Sequence, residues 1–139
     1  MTTGHKALAE TYDSQRANWG AHWRKAVRGV TESSLLAMAH SVLDWNDQAM
    51  FLHVEGSDQG DFLTWSYVVL QDGTQVDDLD EDSIGEDLYD LLADVDTESG
   101  TAREVWQHPD FCEIKNDHGG YYAFDLRKLI AYFEKESKA

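Results

Sequence analysis

The sequence predicts an α+β fold: a small antiparallel sheet of four to five strands in two hairpins, with helices packed on one face. Three observations carry this. Apolar residues recur at three- and four-residue spacing over several stretches, the mark of amphipathic helices. Elsewhere they alternate with polar residues on either side of glycine-containing loops, the mark of hairpins. And 139 residues with 42% hydrophobic and 12% aromatic side chains supply enough apolar material for one core. The chain therefore reads as a single domain over 1–139, without repeats or a proline-rich linker, and with the N-terminal helix 5–29 semi-independent of the rest.

The first element is that helix. Leu8, Tyr12, Gln15, Trp19, Trp23, Ala26 and Val30 form one mainly apolar stripe. Trp19 and Trp23 stand one turn apart on it and read as core residues, with a partner-facing patch as the alternative. Gly20 weakens the middle by about 1 kcal/mol relative to alanine. Arg24, Lys25 and Arg28 suit a helix C-terminus, and Gly29 reads as the stop. Thr31 is then the expected N-cap of a second helix with Leu35, Leu36, Ala39, Val42 and Leu43 on its apolar face, ending near Trp45.

The period next falls to two. Met50, Leu52 and Val54 alternate with Phe51, His53 and Glu55. After a loop holding Gly56 and Gly60, a second strand runs from Phe62 to Leu70 with Leu63, Trp65, Tyr67 and Val69 on one face. Asp72-Gly73 is a tight-turn signal leading to a short edge strand from Gln75 to Leu79. Ser83 and Glu86 have capping-box spacing, and Ile84, Leu88, Leu91, Leu92 and Val95 give the clearest buried helix face in the chain, with Asp87, Asp90 and Asp94 on the other side. Thr101 to Gln107 forms one short helical turn before Pro109. Phe111 to Lys115 and Tyr121 to Phe124 flank Asn116 to Gly120 as the second hairpin. For the last segment, Asp125 as N-cap with Leu126, Leu129, Ile130 and Phe133 at helical spacing favours a helix over a continued strand.

Charge is the least ordinary feature. The formal net charge is -16. Residues 1–30 hold five basic groups against Glu10 and Asp13, whereas residues 31–102 hold 18 acidic groups and not one Lys or Arg. Such a balance argues against direct binding of nucleic acid or an anionic membrane surface. The absence of a long apolar run or a signal-like segment predicts a cytoplasmic protein. Two electrostatic readings compete: a solvated acidic face, and a surface kept for a basic partner. The second predicts contact through Asp77, Asp78, Asp80, Glu81, Asp82, Glu86, Asp87, Asp90, Asp94, Asp96 and Glu98. Carboxylates three or four residues apart on a helix have Cβ atoms about 5–6 Å apart, a scale comparable with the phosphates of a nucleic-acid backbone.

Dedicated chemistry is hard to find. Asp78, Asp80 and Asp82 alternate like the start of a calcium loop, but Ser83 and Tyr89 occupy the positions that require glycine and an acid. No zinc or phosphate-binding motif is found, and no cofactor is expected. The lone Cys112 has His118 and Asp117 downstream, which makes a small hydrolase or metal-dependent enzyme the alternative reading and a buried strand cysteine the bland one. A structural subunit docking through Trp19 and Trp23 is the third.

Three pieces together resemble a family of uncharacterised small acidic proteins encoded on plasmids and phages: the helix leading into Phe51-Leu52-His53-Val54-Glu55-Gly56-Ser57-Asp58-Gln59-Gly60, the acidic helix around Glu86-Asp87-Leu88-Tyr89-Asp90, and Asn116-Asp117-His118-Gly119-Gly120-Tyr121-Tyr122-Ala123-Phe124-Asp125. The resemblance covers residues 31–134. It implies no catalytic residues, a terminal strand where the periodicity gives a helix, and a mobile-element setting in which small acidic proteins often inhibit host nucleases or regulators. The expected function is accordingly that of a non-enzymatic acidic binding or inhibitor protein, a nucleic-acid mimic for the basic surface of a nuclease, DNA-binding regulator or defence complex.

Overall fold

A computed structural model describes residues 4–56, 63–79, 84–115 and 120–138. The element order is α1 (His5–Trp45), β1 (Ala49–Gly56), β2 (Leu63–Leu70), β3 (Gln75–Val76), α2 (Ile84–Ala93), α3 (Gly100–Trp106), β4 (Cys112–Ile114), β5 (Tyr121–Asp125) and α4 (Leu126–Lys138). The strands form one antiparallel sheet in the order β3-β2-β1-β5-β4, and the fold is α+β as the periodicity predicts. Each expected hairpin is present, β1–β2 and β4–β5, and β1 pairs with β5 to join them.

One face of the sheet is covered. Leu52, Val54, Leu63, Val68 and Phe124 are buried there, with α2 packed on β2 and α4 on β1 and β5. The C-terminal half of α1 lies against α2, α3 and α4 and buries Leu35, Met38, Ala39 and Val42. At about 25 cal/mol per Å² of apolar surface this helical layer is the main source of stability. Hydrogen bonds fix its seams. The Trp65 indole N–H donates to the Gly85 carbonyl at 2.7 Å, holding the start of α2 on β2. Arg127 donates to the carbonyls of Ala49 and Asp47, which clamps α4 to the turn between α1 and β1. Asp125 accepts from the Lys128 backbone N–H at 3.1 Å, so the terminal segment is a capped helix with Leu126, Leu129 and Phe133 buried, and the competing strand is not formed.

Three expectations need correction. First, α1 does not stop at Gly29. It runs unbroken for 41 residues, about 60 Å at 1.5 Å per residue. Thr31 is not an N-cap: its hydroxyl donates to the Val27 carbonyl at 2.8 Å and the residue is buried inside the helix. Glycine in a helix costs about 1 kcal/mol, and burial of residues 31–42 against the body offsets that many times over.

Second, Leu63, Trp65, Tyr67 and Val69 do not share a face. The register passes from His53↔Tyr67 to Val54↔Trp65, so Ser66 is an extra residue, a β-bulge that flips the alternation. Leu63 and Trp65 belong to the covered side, Tyr67 and Val69 to the open one. A second bulge at Met50 likewise leaves that residue exposed while Ala49 is buried.

Third, the edge strand is only Gln75–Val76. The chain then leaves the sheet and buries Leu79, whose carbonyl accepts from Gly85 N–H. The Asp72-Gly73 turn before it forms as expected, with Gly73 at φ +89, a conformation that favours glycine. The expected capping residue Ser83 lies outside the described residues.

Candidate functional site

The acidic segment is built around α2. Ile84, Leu88, Leu92 and, just beyond the helix, Val95 are buried, and Leu91 packs partly against the core. That stripe fixes the rotation of the helix and leaves Glu86, Asp87, Asp90 and Asp94 exposed on the far side. Among the described residues no Lys or Arg forms an ion pair with any of the four. Glu86 and Asp87 sit in the first turn, where the helix dipole favours anions, whereas Asp90 and Asp94 lie toward the end that disfavours them. The helix thus carries part of its charge against its own polarity.

The remaining predicted site residues divide. Asp80, Glu81 and Asp82 lie outside the described residues. Asp77 and Asp78 follow β3 and are exposed, Asp77 accepting from the Gln75 amide at 2.7 Å. Glu98 is exposed. Asp96 is set apart from the others because its groups are engaged within the fold. Its carboxylate accepts the backbone N–H groups of Glu98 and Ser99 at 2.8 and 3.1 Å, and its carbonyl accepts the Trp106 indole N–H at 3.1 Å. It shapes the turn into α3, whose N-cap is Ser99.

The enzymatic alternative rests on Cys112. The structure places it in β4 opposite Phe124 and buries it. Burial pushes its thiol up to about 12, with the neighbouring Glu113 charge adding to the effect. A thiol so far above neutrality has almost no thiolate, and Cys112 packs as a core residue of β4. His118 and Asp117 lie outside the described residues. Among the described residues no group of three or more His, Cys, Asp or Glu side chains could hold a metal ion. No helix of the described residues is long and apolar enough to cross a membrane.

The open face of the sheet offers a different environment. Tyr67, His53, Ala123 and Glu113 form one row across four strands. The His53 and Tyr67 rings stack at 4.4 Å, and a shallow depression of about 500 Å³ beside them is lined by Ser66, Lys115 and Tyr121. Burial holds His53 below the usual imidazole range; Lys115 lowers it further, and Glu113 opposes both. A base with a depressed folded pKa binds fewer protons folded than unfolded. Its contribution to stability is present above pH 6.5 and is lost as pH falls through the folded value. Urea midpoints measured from pH 7.5 down to 5 are expected to fall more steeply for the natural protein than for His53→Phe, which keeps the stack but cannot titrate.

The largest departure from expectation is the N-terminal half of α1. Trp19 and Trp23 are not core: they are 73% and 56% exposed, and Tyr12, Leu8 and Val30 on the same stripe are exposed as well. The residues by which α1 meets the body are Val27, Thr31, Leu35, Met38 and Val42. At 100° per residue the centres of the two stripes are roughly 120° apart. The signal was therefore in the sequence, as two apolar stripes on one helix that cannot both face one body. No family model matches the chain, and no curated protein or solved structure matches it either.

Proposed function

We propose that the protein is a non-enzymatic binding protein that presents the acidic surface of α2 to a basic partner, of the kind that ordinarily holds nucleic acid: a nuclease, a DNA-binding regulator or a defence complex. The observation that carries this reading is the outward row Glu86, Asp87, Asp90 and Asp94, exposed and unpaired by cations among the described residues. From Glu86 to Asp90 the axial step is about 6 Å and from Asp87 to Asp90 about 4.5 Å, and Asp94 follows directly after the last helical residue, Ala93. A duplex carries a phosphate every ~3.4 Å of axis on each strand, so a groove built for phosphates meets comparable charge density on α2. The short Asp side chain holds each charge close to a rigid helix and loses little entropy on binding. Long-range attraction speeds encounter and falls with salt. The mobile-element setting implied by the resemblance would supply such partners.

The test is displacement of labelled duplex DNA from a panel of basic nucleases and regulators, followed by fluorescence anisotropy across a salt series. Displacement by one chain per partner is expected at low salt, weakening as salt rises, with no binding of DNA by the protein itself. Charge reversal at Asp87, Asp90 and Asp94 to lysine is expected to remove displacement while leaving the unfolding temperature nearly unchanged, because all three are exposed and the attraction of the new lysines to the surrounding carboxylates offsets the lost first-turn anion at Asp87. Unchanged displacement by the triple variant would sink the proposal.

A further inference from the structure

We infer that the exposed stripe of α1 is a self-association surface on which a second copy of this chain lies antiparallel, with its two-fold axis at Trp19.

The stripe needs a cover that its own body cannot supply. Residues 5–26 extend about 33 Å along the axis, and their apolar face is turned roughly 120° away from the face that packs. The exposed area is sufficient for a specific contact. Three aromatics of about 150–250 Å² each, more than half exposed, put roughly 300–450 Å² per chain at stake. With Leu8 and Val30, two chains bury about 1,000 Å², near the lower bound for a specific interface.

Spacing points to a second copy as the occupant. The stripe positions Leu8, Tyr12, Gln15, Trp19, Trp23, Ala26 and Val30 step by four, three, four, four, three and four residues. That series is the same read in either direction from Trp19, as an isologous two-fold contact requires. Antiparallel pairing sets Leu8 against Val30, bulky Tyr12 against small Ala26, and the Gln15 amide against the Trp23 indole, with the two Trp19 rings at the axis.

Charge selects the direction. On the N-terminal side of Trp19 the arm carries Lys6, Glu10, Asp13 and Arg16, which sum to zero with Arg16 paired to Asp13 at 2.7 Å, and on the C-terminal side it carries Arg24, Lys25 and Arg28. Antiparallel pairing lays the neutral half of one arm along the basic half of the other. Parallel pairing would set like halves together and would also bring two strongly acidic bodies side by side. The ion pair of Arg28 with Glu104 at 3.0 Å links α1 to α3 at the root of the arm.

Sedimentation equilibrium of the full chain over a concentration series tests this directly. A reversible dimer is expected, with the dissociation constant raised about 100-fold or more by Trp19→Glu, a change at an interface anchor. Trp19 touches no core, so the unfolding transition of that variant is expected to match the natural protein. For direction, a Leu8→Cys chain mixed with a Val30→Cys chain should cross-link through a short bis-maleimide, while Leu8→Cys alone should not, because its two thiols would stand about 33 Å apart. Buried Cys112 stays unlabelled in the folded protein. A monomer at all concentrations, a dimer indifferent to Trp19→Glu, or cross-linking of Leu8→Cys to itself would each overturn the inference.

Discussion

Replacing Trp106 with alanine should destabilise the body by about 3–5 kcal/mol. The ring is 1% exposed, one of the largest fully buried side chains in the protein, and it meets Tyr122 edge-on at 4.9 Å. Its indole N–H donates to the carbonyl of Asp96. Alanine would open a cavity between α3 and the sheet and leave that carbonyl without its donor. The carboxylate of the same Asp96 organises the start of α3, so the damage would reach the segment that connects the acidic helix to the rest. Domains of this size are stable by about 5–15 kcal/mol, so roughly a fifth or more of the total is at risk. Urea unfolding followed by far-UV circular dichroism measures it. Trp106→Phe separates the two contributions, keeping most of the ring volume and losing only the hydrogen bond, for a cost of about 1–2 kcal/mol. A loss below 1 kcal/mol for the alanine variant would mean that Trp106 does not hold α3 in the way described.

Gly29→Pro should uncouple the arm from the body. Proline in a helix interior costs about 3 kcal/mol or more: it removes one backbone hydrogen bond and clashes with the carbonyl four residues back. Position 29 sits where α1 passes from the unpacked arm to the packed half, so the effect should be local. The arm is held helical because the body supplies its nucleus. On its own, a helix of some 22 residues with two Trp and little tertiary contact is marginal in water. The variant should lose helical signal equivalent to most of the arm while keeping the near-UV spectrum of Trp65 and Trp106, which lie in the body. Gly29→Ala has the opposite sense. A Cβ built there meets nothing within 4 Å, and the change should add about 0.5–1 kcal/mol to helix stability. A proline variant with undiminished helicity would show that the arm is stable without the body.

Much of this architecture was legible in the residues. The 3.6 period of Ile84, Leu88 and Leu92 placed α2, and Asp125 with Leu126, Leu129 and Phe133 placed α4, because in both cases an apolar stripe coincides with a cap or a first-turn acid. The hairpins were legible because alternation surrounds the turn residues. The errors have physical causes of their own. Gly29 and Thr31 are punctuation in isolation, yet tertiary burial of Thr31 and Leu35 overrides local preference. Alternation along β2 cannot reveal a bulge, because Ser66 looks like any polar strand residue until its partner strand fixes the register. A stripe such as Leu8 to Val30 shows that a face is apolar, not whether the same molecule covers it. For the candidate site, the outward carboxylates of α2 followed from the buried face directly. The engagement of Asp96 did not, because its ligands are backbone N–H groups whose direction only the fold determines.

The length of α1 has one more consequence. It holds a modestly cationic tip tens of ångströms from a strongly anionic body, so the molecule is electrically lopsided. In dilute salt, where the Debye length reaches about 30 Å, an external field or a charged surface exerts a torque on it before any contact forms. A cationic surface would turn it body-first and an anionic one arm-first. At physiological salt that length is about 8 Å, and the torque vanishes until the nearest end is nearly touching. Orientation on approach is then a property of the buffer as much as of the protein, and rotational alignment in an applied field should fade with added salt while the fold does not change.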